Sequence, residues 1–165
     1  MRALAGLACG LTDGSIDLPG GEIYATRRWR VEHALAPLGV GTLILKPLRH
    51  CLHLWDLTPE EASECGPIMA AAGAVKELVL PDQVYSCLWS HAEWKPVHIH
   101  FVLQPSWNRL AEQHKRPGPF LQADLFAANE MPERAEVERF SARARRSAAN
   151  GPQLGPRPPS AVPYP

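Results

Sequence analysis

Ten residues, Pro96-Val-His-Ile-His-Phe-Val-Leu-Gln-Pro105, constrain this chain more than any other stretch. In an extended strand, alternate side chains share a face. Val97, Ile99, Phe101 and Leu103 then form one wholly apolar face, predicted to meet a core, while His98, His100, Val102 and Gln104 form the other. Two imidazoles therefore project the same way, about 6.5–7 Å apart at roughly 3.3 Å per residue. A strand with a clean core face has no packing need for imidazoles opposite it. The plain alternative is a pair of partly exposed strand histidines without a task.

The other elements arrange themselves around that strand. Glu22–Thr26 (EIYAT) and Trp29–Ala34 (WRVEHA) are short β-rich pieces, preceded by the turn Pro19-Gly20-Gly21 and joined by Arg27-Arg28. After a second turn, Pro37–Gly41, the compact apolar run Thr42–Lys46 suits a buried strand. Thr58-Pro59-Glu60-Glu61 opens a helix: Thr58 caps the first free amides, Pro59 suits the first helical position, and Glu61 completes a capping box. This helix is expected to continue without a break until just before Pro81. Two more strands follow, Gln83–Trp89 and Val97–Leu103, and then 107–147 reads as helical pieces, with Val137, Phe140 and Ala144 at helical spacing on the last. That order predicts an α+β fold: an antiparallel sheet of about five strands, one long helix and a helical C-terminal extension. The expected segments are 1–21, a central domain 22–105, the extension 106–149 and a tail 150–165. Six of the chain's 17 prolines fall in those last 16 residues, so the tail is expected to stay outside the core, disordered or as a proline-rich ligand.

Composition then removes whole classes of function. The 165 residues suit one domain of ordinary size. Basic and acidic residues balance at 17 each, which argues against a nucleic-acid partner. No apolar run approaches the roughly 18–20 residues of a membrane helix. The opening Met1–Cys9 is too short and weakly apolar for a signal peptide, so a cytoplasmic location is expected. Four cysteines (9, 51, 65 and 87) lack Cys-x-x-Cys spacing and read as buried or free thiols.

His50 and His53 follow the strand TLILK and add to the two strand histidines. A histidine cluster has two chemical uses. Three or four imidazoles can bind zinc. Alternatively, one imidazole attacks phosphorus while its neighbours orient it.

These residues together resemble the histidine triad superfamily of nucleotide hydrolases and transferases, over roughly 22–105. The family motif is His-φ-His-φ-His-φ-φ, often followed by Pro; here it reads His98-Ile-His100-Phe-Val102-Leu-Gln104-Pro105. The upstream Lys46-Pro-Leu-Arg-His50 and the helix opened by TPEE come in the family's order. The resemblance implies that His100 attacks the α-phosphorus of a nucleotide ester, anhydride or amidate. A covalent nucleotidyl-histidine forms, and water then releases the nucleoside monophosphate. His98 and His50 would orient the network, and the protein would act as a homodimer on a phosphorylated small molecule, with no cofactor.

The departures bear on activity. The third motif histidine is Val102, which cannot hydrogen-bond, and aligning on Pro37 puts Ala34 where many relatives carry an aspartate that holds a ribose hydroxyl. Some bacterial relatives hold structural zinc through an N-terminal Cys-x-x-Cys with histidines. Here Cys9 has Gly6 in place of its partner, so no metal is expected. The segment Ser90-His91-Ala-Glu-Trp94-Lys95-Pro96 leads into the motif strand, and His91, Trp94 and Lys95 join Val102 and Gln104 as expected substrate contacts, Trp94 stacking a ring and Lys95 meeting an anion. The alternatives are a weak or inactive protein of this fold that binds a phosphorylated small molecule, and a metal-binding protein using His98, His100 and His50.

Overall fold

The computed structural model describes residues 7–64, 66–92, 95–115 and 118–149. The elements run α1 (Leu7–Asp13), β1 (Glu22–Ala25), β2 (Trp29–His33), β3 (Leu43–Pro47), a 3₁₀ turn (Leu54–Asp56), α2 (Pro59–Ser63), α3 (Gly66–Val79), β4 (Gln83–Ala92), β5 (Lys95–Ser106), α4 (Asn108–His114), α5 (Pro119–Ala128) and α6 (Arg134–Ala149). Five strands form one sheet in the order β1-β2-β3-β5-β4, with every neighbouring pair antiparallel. The expected α+β class and five-stranded antiparallel sheet are what the chain forms.

Alternation along the strands fixes which side is which. Val31, Leu45 and Phe101 lie side by side across β2, β3 and β5, and Leu43 faces Leu103. With Ile23 and Trp29 these side chains pack against Ala71 and Val75 of α3 and Phe140 and Ala144 of α6. Helix α6 lies in the C-terminal extension yet supplies two members of this core. Gly20 makes its docking possible: φ there is +78°, and a Cβ would sit 2.4 Å from Ser141 Oγ.

One expectation needs correction. The helix begun at Thr58 is not continuous: its capping box forms as expected, but α2 ends at Ser63 and α3 starts at Gly66. Pro67 explains the break, because within a continuous helix its ring would clash with the carbonyl four residues earlier. The opposite sheet face is covered as well. Helix α1 and helix α5 lie against it, α5 through Gln122 and Phe126 on Trp89 of β4. The tail from 150 onward, and Cys65, lie outside the described residues.

No helix among the described residues is long and apolar enough to cross a membrane.

Candidate functional site

The second sheet face carries the buried charges and the motif histidines. Arg30, Glu32, Ile44 and Lys46 share it with Val102, Cys87, His100 and Trp89, as the register shows. Lys46 is fully buried and pairs with Glu32 at 2.5 Å, the two side chains 0% and 1% exposed. Burial pushes the Glu32 carboxyl up and the Lys46 ammonium down, so each relies on the other to stay charged. Lys46 Nζ also donates to the Ala8 carbonyl at 2.9 Å, and Arg30 donates to the Thr12 carbonyl at 3.0 Å. Those two bonds hold α1 on the sheet.

Helix α1 brings Cys9 to the histidines. Cys9 Sγ lies 3.1 Å from His50 Nδ1 and 3.6 Å from His98 Nδ1. The chain leaves β3 at Pro47, whose carbonyl accepts from His98 Nε2 at 2.8 Å, and Cys51 O accepts from Ile99 N at 2.9 Å. His50 thereby meets His98 edge to face, with ring centroids 5.2 Å apart. A carbonyl only accepts, so the His98 proton sits on Nε2 and the Nδ1 lone pair points at Cys9. Burial, above all, pushes His98 down to about 4.

This shift gives a pH prediction. Unfolded, His98 takes up a proton near 6.5; folded, it resists protonation until about 4. Between those values the unfolded chain binds more protons, so stability falls as pH falls. Metal-free protein is expected to lose on the order of 3 kcal/mol between pH 7 and 4 from this group, read by urea unfolding. In His98→Phe, that share of the pH dependence should vanish.

His100 is half-buried and stands next to this cluster. Its Nδ1 donates to the His98 carbonyl at 3.0 Å. The proton is thus fixed on Nδ1 and the Nε2 lone pair is left for chemistry. Burial pushes the imidazole below its ordinary value, helped by the Lys46 ammonium, while the bond to the His98 carbonyl opposes the shift. At neutral pH the ring is uncharged, as a nucleophile must be.

The other sequence-derived site residues fare differently. Val102 does share the His100 face, but it is buried opposite Ile44 and Cys87 rather than lining open space. Gln104 is likewise fully buried, and neither atom of its amide has a partner among the described residues. Both were expected as substrate contacts; here both lie buried on the covered face of the sheet. His91 and Lys95 sit in the β4–β5 hairpin, near its turn, and Trp94 lies outside the described residues.

Cys9 is the residue that sequence reasoning discounted, for want of a second cysteine. The thiol and one ring nitrogen each of His50 and His98 all lie within 4.8 Å of one another. These donors fit a zinc ion by softness and number, and His98 already has its other ring nitrogen bound to a carbonyl, as metal-bound histidines do. His100 is not part of that group. The residue grouped with His50 and His98 is Cys9, where the all-histidine alternative named His100. A cleft of about 410 Å³ opens elsewhere, between Leu38, Pro105, Trp107 and His114, and touches none of these residues.

This architecture is the histidine triad fold. The chain is similar to a HIT-like protein involved in cell-cycle regulation from Bartonella henselae (TM-score 0.66, 16% identity, covering 86% of this chain and 94% of that one). It is similar to a hypothetical histidine triad nucleotide-binding protein from Sulfolobus tokodaii (TM-score 0.64, 16% identity, 86% and 91% covered). A zinc-bound histidine triad family protein from Mycobacterium smegmatis matches with TM-score 0.62 at 19% identity, over 87% and 95%. No family model matches the sequence, and no curated protein is similar to it in sequence.

Proposed function

We propose that the chain is a nucleotidyl hydrolase or transferase whose nucleophile is His100 Nε2. The observation that carries this reading is the 3.0 Å bond from His100 Nδ1 to the His98 carbonyl, which fixes the tautomer with Nε2 unprotonated. In the first step, the Nε2 lone pair forms a bond to the α-phosphorus of a nucleotide ester, anhydride or amidate. The bond from phosphorus to the leaving group breaks, and its electron pair departs with that group. Water then attacks the same phosphorus, the P–N bond breaks back to neutral His100, and the nucleoside monophosphate leaves. An acceptor alcohol or phosphate in place of water gives transfer.

Val102 cannot donate a proton to the departing group. Such a site favours leaving groups that depart already stable as anions, such as the phosphate of a dinucleoside polyphosphate, over amines. The test is a side-by-side assay: turnover of a dinucleoside polyphosphate is expected to exceed that of an adenosine phosphoramidate. Nucleotide binding without turnover of either would support the alternative, a protein of this fold that binds its ligand only. A homodimer and a cytoplasmic location belong to the same reading; equilibrium sedimentation tests the first.

A metal-holding role for Cys9, His50 and His98 is the second reading, favoured by their 4.8 Å grouping and by the zinc named for the Mycobacterium smegmatis protein. Bound there, zinc supplies a cross-link between α1 and β5 that stiffens the His98 backbone on which His100 rests. Purified protein is expected to carry about one zinc per chain by elemental analysis, and Cys9→Ala to carry much less. Equal metal content in both would place the ion elsewhere or show it to be adventitious.

A further inference from the structure

The loop that follows His50 carries an aromatic surface that the chemistry above leaves unused. Trp55 is 81% exposed, far beyond what an indole's size requires. His53 stacks on one face of it, with ring centroids 4.6 Å apart and planes only 13° from parallel. Leu54, the residue before it in the chain, is also exposed, at 49%.

The loop is held rather than loose. Asp56 Oδ2 accepts from Leu52 N and His53 N at 3.2 and 2.9 Å. Arg49 donates to both Glu61 carboxylate oxygens, at 3.0 and 2.7 Å, and to the Asp56 carbonyl. Glu61 also accepts from Thr58 N at 2.8 Å. A stacked ring pair on a pinned loop presents a flat face whose ordering entropy is spent on folding, not on binding.

Its position ties it to the reaction. The same loop contacts the motif strand through Cys51 O and Ile99 N, between the two motif histidines, and through His50 against His98. Trp55 is four residues past Cys51, so its Cα lies within roughly 14 Å of that contact.

We infer that the Trp55–His53 pair is the stacking platform for a planar ring of the substrate, a nucleobase on either side of the scissile phosphorus. This rests on the nucleotide reading of the site and adds the residue that grips the ring. Base–aromatic stacking accounts for roughly ten- to a hundredfold in affinity when the aromatic is removed.

The experiment compares wild type, Trp55→Ala and Trp55→Phe on adenosine monophosphate binding by calorimetry and on KM and kcat for two substrates. These are a dinucleoside polyphosphate, with a ring on its leaving group, and adenosine phosphoramidate, without one. Trp55→Ala should raise KM about tenfold or more while kcat holds, and Trp55→Phe should recover much of the loss. A weakened monophosphate together with both KM values raised assigns the platform to the retained base. A raised dinucleotide KM alone assigns it to the departing nucleoside. Wild-type affinity and KM throughout in Trp55→Ala would overturn the platform and leave the nucleotide reading standing. Wild-type protein that neither binds nor turns over any of the three would overturn both. A change of oligomeric mass in Trp55→Ala with nucleotide affinity intact would also overturn the platform, making Trp55 a subunit contact.

Discussion

Replacing His100 by alanine is expected to cut nucleotidyl hydrolysis by on the order of 10⁴–10⁶-fold, since losing the nucleophile removes the covalent path itself. The fold should survive. His100 lies outside the apolar core, and its ring bond among the described residues is to the His98 carbonyl, so its removal leaves a main-chain acceptor short of a partner but no buried charge. Melting temperature read beside kinetics separates the two outcomes. A folded variant with wild-type turnover would exclude His100 as the nucleophile, whereas loss of fold would show that the ring holds the sheet together.

The second large effect lies in stability. Lys46→Met leaves the Glu32 carboxylate buried without its 2.5 Å partner and cuts the Ala8 anchor of α1. Removing one partner of a buried pair typically costs 3–5 kcal/mol, and about 2–4 °C accompanies each kcal/mol at this chain length, so the midpoint should fall by roughly 6–20 °C. Glu32→Leu combined with Lys46→Met removes both charges and is expected to recover most of that loss. If the double variant were as unstable as the single, the damage would come from the loosened α1, not from a stranded charge. On the metal-holding reading, zinc content gives an independent readout of the helix, because Cys9 rides on α1 between the two anchoring bonds.

The parts of the molecule that were legible in the sequence are those whose signal is local. Period-two alternation identified β5 and its core face, and Leu103 and Phe101 do lie among the core side chains. Thr58 and Glu61 announced the start of α2, where the capping bonds form. The break after Ser63 was readable too, from Gly66-Pro67, but the run of alanines that follows outweighed it. What covers the second sheet face was not readable. Cys9 is 41 residues from His50 and 89 from His98, and no periodicity connects residues that far apart. The burial of Val102 and Gln104 was unreadable for the same reason: alternation says which way a side chain points, not what lies over it. Lys46 within the apolar strand and Glu32 in its neighbour were the one available clue, two charges at positions that the pattern assigned to strands. The loop at Trp55 carried no motif at all; its significance comes from a ring stack that only the folded chain displays.

The most direct test of the account is to look for the nucleotidyl-histidine itself. The protein is mixed with a dinucleoside polyphosphate, quenched in alkali within one turnover, digested and mapped by mass spectrometry. The account predicts one nucleoside monophosphoryl group on the peptide containing residues 98–102, bound at His100, formed and lost at rates consistent with turnover and absent from His100→Ala. Turnover by wild-type protein with the group on a different residue, or with no covalent adduct at any time point that catches the reaction under way, would contradict it.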